Sequence, residues 1–227
     1  MRLLAVDTTT GSGSTALVED GLVRAEIGVD SFGTHSARLP ASIDILLKSL
    51  GWSLAEMDGF AVTPGPGSFT GIRIGLSTIQ AFAFASGKPV APVSSLRALA
   101  WKLRNDGVPL AAPMHDAKKG EIYAALYAFE KNKMKAVVPE GAYAPERFLE
   151  LLPKGRKVLY IGGGFPILAA IMGRDEKGRA IQTWRTPFIA PEVGLLGAAM
   201  IAAGKGLAPD KLEPLYLRRS QAEEGRR

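Results

Sequence analysis

The sequence contains no cysteine. That excludes a disulfide framework, a thiolate metal site and a cysteine nucleophile. Histidine is nearly absent too: His35 and His115 stand far apart, and neither belongs to a short-spaced pair such as H-x-x-x-H, so a zinc enzyme of the usual design is not expected. No apolar run approaches the ~18 residues of a membrane span. The first apolar run, Leu3 to Val6, meets Asp7 too early to be a signal-peptide core. The expectation is a cytoplasmic chain without a membrane segment. Aromatic residues are only 7% and no basic run is interleaved with them, which speaks against direct, tight nucleic-acid binding. There is no G-x-S-x-G elbow, so an α/β-hydrolase is out. The carboxylates are scattered, and no pair commits to acid–base work.

What is present is ordinary globular material. Of 227 residues, 47% are hydrophobic and 22% charged, enough for a sizeable core without staples. The length allows one large domain or two small ones. The net charge of +6 would suit work near nucleic acid, but part of the excess is Arg218, Arg219, Arg226 and Arg227 in the tail.

Three short strand-like runs open the chain, with Gly11-Ser12-Gly13 after the first and Asp20-Gly21 between the second and third. Asp-Gly between such runs is a hairpin signal. The period then changes: Leu39, Ile43, Leu46, Leu47 and Leu50 fall at helical spacing, and Gly51 stops the helix. Gly59 to Thr63 reads as a buried strand, followed by the loop Pro64 to Gly71 and a second helix to about Ala85. A strand at Val90 to Val93 and a helix from Ser95 end near Asn105-Asp106-Gly107, where a domain boundary is expected. That gives an N-terminal lobe of 1–106 and a C-terminal lobe of 107–227. Strands at Leu110 to Met114 and Glu121 to Phe129, a third including Val137-Val138, a helix at Pro145 to Leu152, a strand at Lys157 to Ile161 and a small-residue helix at Pro191 to Ala203 fill the second lobe. The class is α/β with two similar lobes, related by fold and not by sequence repeat.

The loop Gly65-Pro66-Gly67-Ser68-Phe69-Thr70-Gly71 is the sharpest local signal. Amides at the following helix N-terminus could hold an anion. Its glycines run G-x-G-x-x-x-G, which is neither a Walker A loop nor a dinucleotide fingerprint. On the residues alone, a tight strand-to-helix turn whose glycines permit positive φ and close packing is the favoured reading. The helix after it is apolar nearly all round. Ile72, Leu76, Ile79 and Ala83 form one stripe; Gly71, Gly75, Thr78 and Phe82 form another. Such a helix is buried on nearly all sides, either within the domain or against another molecule. Asp7-Thr8-Thr9 at the end of the first strand could face phosphate or hold Mg²⁺ through water, or could be a plain hairpin lead. His115 and Asp116, adjacent in a strand, point to opposite faces and do not make a dyad.

Taken together, Leu4-Ala5-Val6-Asp7-Thr8-Thr9-Thr10, His35-Ser36, the Gly65-to-Gly71 loop continuing Ile72-Arg73-Ile74-Gly75, Val93-Ser94-Ser95-Leu96, Asp116-Ala117-Lys118-Lys119-Gly120-Glu121-Ile122-Tyr123 and Pro214-Leu215-Tyr216-Leu217-Arg218 resemble the TsaB (YeaZ) family over nearly the whole chain. That family serves the bacterial synthesis of threonylcarbamoyladenosine in tRNA. The resemblance implies an actin-like ATPase (ribonuclease H-like) fold of two lobes, each a mixed sheet flanked by helices. It implies a non-catalytic subunit that binds the catalytic relative TsaD, with TsaE joining, that meets tRNA only through the complex and that pairs with itself when TsaD is absent. The family's TsaD contact, carried onto this sequence, falls on His35, Leu39, Ile43, Leu46, Gly71, Ile72, Gly75, Thr78, Ile79 and Phe82. TsaD's two metal histidines fall on Ser95 and Leu99, which implies no metal and no cofactor. Its phosphate-facing turn falls on Asp116 to Gly120. A weak nucleotide site at Asp7, Thr8, Thr9, Gly162, Gly163 and Gly164 stays open. The rival reading is a metal- or ATP-dependent enzyme of the same superfamily, such as a glycoprotease-like peptidase.

Overall fold

The computed structural model describes residues 1–30, 34–130, 133–183 and 185–218. Arg219, Arg226 and Arg227 of the basic tail lie outside them. In chain order the elements are β1 (Arg2–Asp7), β2 (Ser12–Glu19), β3 (Leu22–Asp30), α1 (His35–Leu50), β4 (Gly59–Val62), α2 (Phe69–Ser86), β5 (Val90–Pro92), α3 (Ser95–Lys102), β6 (Leu110–Lys118), β7 (Glu121–Glu130), β8 (Lys133–Tyr143), α4 (Pro145–Leu151), β9 (Val158–Ile161), α5 (Phe165–Ile171), α6 (Arg174–Lys177), β10 (Ala180–Gln182) and α7 (Ala190–Ala202).

They form two compact units. The first holds Met1–Ala98 and Phe188–Leu215; the second holds Leu99–Pro187 and the residues from Tyr216 on. The expected division after Asp106 therefore needs correction, because the segment from 188 to 215 returns to the first unit. Its helix α7 is built almost wholly of small apolar residues, and it lies flat on β1, β2, β4 and β5 with Gly194 and Gly197 against Val18 and Ala61. Spacing shows that such a helix must be buried; it does not show against which sheet.

In the first unit the strand order is β3-β2-β1-β4-β5, with β1, β2 and β3 antiparallel and β1, β4 and β5 parallel. The β2–β3 turn places Asp20 and Gly21 at φ of 50° and 77°, the left-handed pair that an Asp-Gly hairpin supplies. Helices α1 and α2 cover one face. Leu39, Ile43, Leu46 and Leu47 of α1 and Ile72, Leu76, Ile79 and Ala83 of α2 close over Leu4, Val6, Phe60 and Val62. Gly51 ends α1 in the left-handed conformation, with its N–H on the Leu47 and Lys48 carbonyls.

The second unit repeats the plan. Its order is β10-β9-β6-β7-β8, with β6, β7 and β8 antiparallel and β6, β9 and β10 parallel. Phe148, Met114, Leu126 and Leu168 anchor its core. Strand β10 and helix α5 have no clear periodic signal in the sequence. Both sheets thus share one strand order without sharing a sequence. Among the described residues, no helix is long and apolar enough to cross a membrane.

Candidate functional site

Strand β1 ends in Asp7, with Thr8 and Thr9 following it. Asp7, Thr8 and Thr9 are all buried. One carboxylate oxygen of Asp7 accepts from the Thr9 N–H at 3.1 Å, the Thr9 hydroxyl at 2.7 Å and the Thr63 hydroxyl at 2.6 Å. Burial pushes the Asp7 carboxyl above the ordinary carboxylate range, and the Thr63 and Thr9 hydrogen bonds oppose that rise. A cavity of about 20 Å³, room for one water, lies beside it between Ser14, His35, Arg38 and Ser42. The Thr8 hydroxyl donates to the Gly71 carbonyl at 2.7 Å. These three residues therefore act in the first unit as a joint between β1, β4 and α2.

That joint has a stability consequence. A carboxylate whose pKa is raised on folding costs stability that accrues as pH rises from its unfolded to its folded value and is fully present above the latter. Asp7→Asn keeps an acceptor oxygen for Thr9 and Thr63 without the buried charge. It is expected to raise stability at pH 7 by on the order of 1 kcal/mol, with the gain shrinking as the pH is lowered and Asp7 itself becomes neutral. Thermal unfolding at pH 7 and pH 4 checks this; a lower melting temperature for the variant at pH 7 would contradict it.

The Pro64-to-Gly71 loop is bound up with the same joint. The Ser68 N–H donates to the Thr9 carbonyl at 2.6 Å, the Ser68 hydroxyl caps α2 by accepting from the Gly71 N–H at 3.3 Å, and the Leu215 N–H donates to the Pro64 carbonyl at 2.8 Å. The Ser95 hydroxyl donates to the Pro66 carbonyl at 2.6 Å. Side chains and backbone of its own unit hold this loop, so its glycines serve a packed strand-to-helix turn.

Most residues assigned from the resemblance to a partner contact lie inside the first unit. Leu39, Ile43, Leu46, Ile72 and Ile79 are core residues, exposed by 5% or less. A Cβ at Gly71 would strike the Thr8 carbonyl oxygen, and one at Gly75 would strike the Thr8 hydroxyl, so both glycines seat α2 on the end of β1. The resemblance puts Gly75 in the TsaD contact; the side where its Cβ would stand is filled by Thr8 and Val62. His35 donates from Nε2 to the Thr10 carbonyl at 2.7 Å and serves the β1–β2 turn. His35, Thr78 and Phe82 are partly exposed, and the Phe82 ring also packs on Phe60, 6.2 Å between centroids.

The outer face of these helices carries a different set. Phe69, Arg73, Ser77, Ala81 and Phe84 recur along α2 at helical spacing. Arg73, Ser77, Ala81 and Phe84 are exposed and Phe69 half-exposed. The Arg73 guanidinium lies 3.9 Å from the Phe69 ring centre. Ile74, Ser77 and Thr78 of α2, together with Ser36 of α1, border an open groove of about 430 Å³ beside this pair. Phe84 and Ile45 of α1 are 60% and 57% exposed, large for apolar side chains. Sequence reasoning missed this stripe. The signal was the regular recurrence 69, 73, 77, 81, 84, hidden because the opposite side of the helix is more apolar still.

In the second unit, His115 is buried and Asp116 exposed, on opposite faces of β6. Burial pulls the His115 imidazole down to about 4. At the β6–β7 turn, Asp116 accepts from the Lys118 N–H at 2.7 Å and from the Lys118 ammonium at 3.0 Å. Lys118, Lys119 and Gly120 all have positive φ. The carboxylate organises a charged hairpin. Gly162 and Gly164 bring the β9–α5 connection hard against the backbone of Met114 and His115, while Gly163 faces open space. Asp7 to Thr9 belong to the first unit and Gly162 to Gly164 to the second; packing within its own unit accounts for Asp7 to Thr9, Gly162 and Gly164.

Comparison with known proteins agrees on a family. Residues 31–172 match the family model of TsaD, tRNA N6-adenosine threonylcarbamoyltransferase. The Bacillus subtilis tRNA threonylcarbamoyladenosine biosynthesis protein TsaB is 32% identical, over 98% of this chain and 96% of its own. YeaZ from Pseudomonas aeruginosa superposes with a TM-score of 0.83 at 29% identity, over 95% of this chain and 99% of that one. Component A of the Acidaminococcus fermentans (R)-2-hydroxyglutaryl-CoA dehydratase, at a TM-score of 0.52 and 11% identity over 89% of this chain and 99% of that one, shares the fold alone. The fold is the actin-like ATPase fold, two mixed five-stranded sheets with flanking helices.

Proposed function

The chain belongs to the TsaB (YeaZ) family of tRNA threonylcarbamoyladenosine biosynthesis proteins, and on that premise we propose that it is a non-catalytic cytoplasmic subunit that binds TsaD. TsaE joins the assembly, tRNA is met only through the complex, and the chain pairs with itself when TsaD is absent. The observation that carries this reading is the match to TsaB over 98% of this chain and 96% of that one. The two positions aligned with the metal histidines of TsaD support it. The Ser95 hydroxyl is committed to the Pro66 carbonyl and Leu99 offers only a buried isobutyl group, so neither is a ligand for a metal. That disfavours the peptidase reading.

The surface for TsaD is the exposed stripe of α2 with its groove at Ser36. Leu39, Ile43, Leu46, Ile72 and Ile79 hold that face rigid from beneath, and Thr78 and Phe82 edge it. Arginine and aromatic side chains at the centre of a contact carry most of its energy. Phe69→Ala combined with Arg73→Glu is expected to weaken association with TsaD, and self-association, at least tenfold, or about 1.4 kcal/mol. The melting temperature should change by no more than about 2 °C, since neither side chain is in the core. Sedimentation with and without TsaD reads the first quantity. Undiminished association of the folded variant would remove this face from the interface.

The function itself is tested by co-purification with TsaD followed by modification of tRNA in vitro. This chain alone is expected to yield no threonylcarbamoyladenosine, and its omission to abolish or sharply reduce the yield from TsaD and TsaE. Modified tRNA made by this chain without TsaD, in a metal-supplemented assay, would overturn the non-catalytic assignment.

A further inference from the structure

The second unit contains a cavity that the readings above leave unused. It measures about 270 Å³ and lies where the end of α4, the turn from Pro153 to Arg156, strand β9 and helix α6 meet. The turn precedes the N-terminal end of β9, whereas Gly162 to Gly164 follow its C-terminal end. A four-residue strand, ~13 Å at about 3.3 Å per residue, separates this cavity from the glycine run.

Its inner wall is apolar. Leu152, Val158 and Tyr160 are buried, Tyr160 to 3% exposure. The Tyr160 ring is held against Phe165 at 4.9 Å between centroids, yet its hydroxyl makes no hydrogen bond to any described residue. That hydroxyl is not sealed in the core: it is open to the cavity and can donate to a molecule that enters it. Lys154, Arg156 and Arg179 line the mouth, exposed, and none of the three forms an ion pair among the described residues. Set against Asp175 and Glu176 of the same lining, these three cations leave it net positive by one charge, a modest bias towards anions. Asp175 and Glu176 complete the lining with hydrogen-bond acceptors.

We propose that this cavity binds a ribonucleoside monophosphate unit, either free or at the end of an RNA strand. The phosphate lies on Lys154, Arg156 and Arg179 and accepts from the Tyr160 hydroxyl. The flat apolar part of the nucleoside covers Leu152 and Val158. The ribose hydroxyls donate to Asp175 or Glu176, as carboxylates commonly receive ribose. A bare phosphate would leave the apolar wall and both carboxylates unused. The volume sits just below the ~300 to 1,000 Å³ of small-molecule sites, and so suits one nucleotide and not two. The cavity lies wholly in the second unit, and its lining shares no residue with the α2 face.

The test is calorimetric titration of the full chain, at low and moderate salt, with adenosine monophosphate, with inorganic phosphate and with a 5′-phosphorylated tetraribonucleotide. Adenosine monophosphate is expected to bind saturably with a dissociation constant below about 1 mM and at least tenfold more tightly than phosphate. Arg156→Glu with Arg179→Glu should weaken binding at least tenfold, and Tyr160→Phe, which keeps the ring packing, three- to tenfold. Circular dichroism establishes that each variant is folded. Binding of the tetranucleotide alone, lost in the same variants, identifies an RNA end as the source. Absence of binding by both nucleotide probes, or equal binding by wild type and the charge-reversed variant, overturns the proposal.

Discussion

Gly75→Leu is expected to lower stability by about 3 kcal/mol, at the upper end of what overpacking usually costs, or roughly 6 to 12 °C in melting temperature for a chain of this size. The reason is local. The side of Gly75 on which a side chain would stand is occupied by the Thr8 hydroxyl, with Val62 Cγ2 3.6 Å from the same point. The Thr8 hydroxyl has little freedom to leave, because it donates to the Gly71 carbonyl at 2.7 Å. Helix α2 must therefore lift off β1, and the Ile72, Leu76 and Ile79 contacts go with it. Gly75→Ala isolates the cause. In the native background it should also destabilise, although alanine is the better helix former by roughly 1 kcal/mol. In a Thr8→Ala background the colliding atom is gone and the remaining Thr8 Cβ distance, 3.7 Å, is ordinary contact. There the same substitution should be neutral or stabilising. A double-mutant cycle of the four proteins measures this coupling. Equal effects of Gly75→Ala in both backgrounds would show that Thr8 is not what the glycine accommodates. A large loss of TsaD binding by a Gly75→Leu protein of unchanged melting temperature would return Gly75 to the interface.

The same residue shows where sequence reading stops. A glycine in a helix interior announces that something comes close, and that inference holds at both Gly71 and Gly75. It does not announce what. The end of a strand from the same lobe and a helix from a partner leave one signature, because both demand only a missing Cβ. The apolar stripe of α2 has the same ambiguity: Ile72, Leu76 and Ile79 must be buried, and the nearest available surface is the unit's own sheet. Local elements were legible because their signals are local. Asp20-Gly21 supplies the backbone angles of its hairpin, and Gly51 stops α1 where the periodicity of Leu39, Ile43 and Leu46 ends. Long-range placement was not legible. Helix α7 crosses back to β1 and β2 over more than half the chain, and no feature of its small residues names that destination. The Tyr160 cavity joins α4, β9 and α6, three elements whose separate sequences each read as ordinary surface or core.

Stability is also expected to fall by about 3 kcal/mol between pH 7 and pH 4 through His115 alone. Burial in β6 brings its imidazole from the ordinary value of 6.5 to about 4. In the unfolded chain the ring takes its proton near 6.5; in the folded chain it stays neutral until about pH 4. Between those values the unfolded state binds more protons, so acid favours it. The contribution is complete above pH 6.5, declines by up to ~1.4 kcal/mol per pH unit below it, and levels off under pH 4. Asp7 works in the opposite sense, since a carboxyl raised by burial gains a proton more readily in the folded state, so the total acid response is smaller than the His115 part. The difference between native protein and His115→Gln removes Asp7 and every surface carboxylate from the comparison. Measured by urea unfolding at pH 7 and pH 4, that difference should shift by about 3 kcal/mol in favour of the variant at the lower pH. A difference that stays constant across the window would mean that His115 titrates in the folded protein as it does in the unfolded chain.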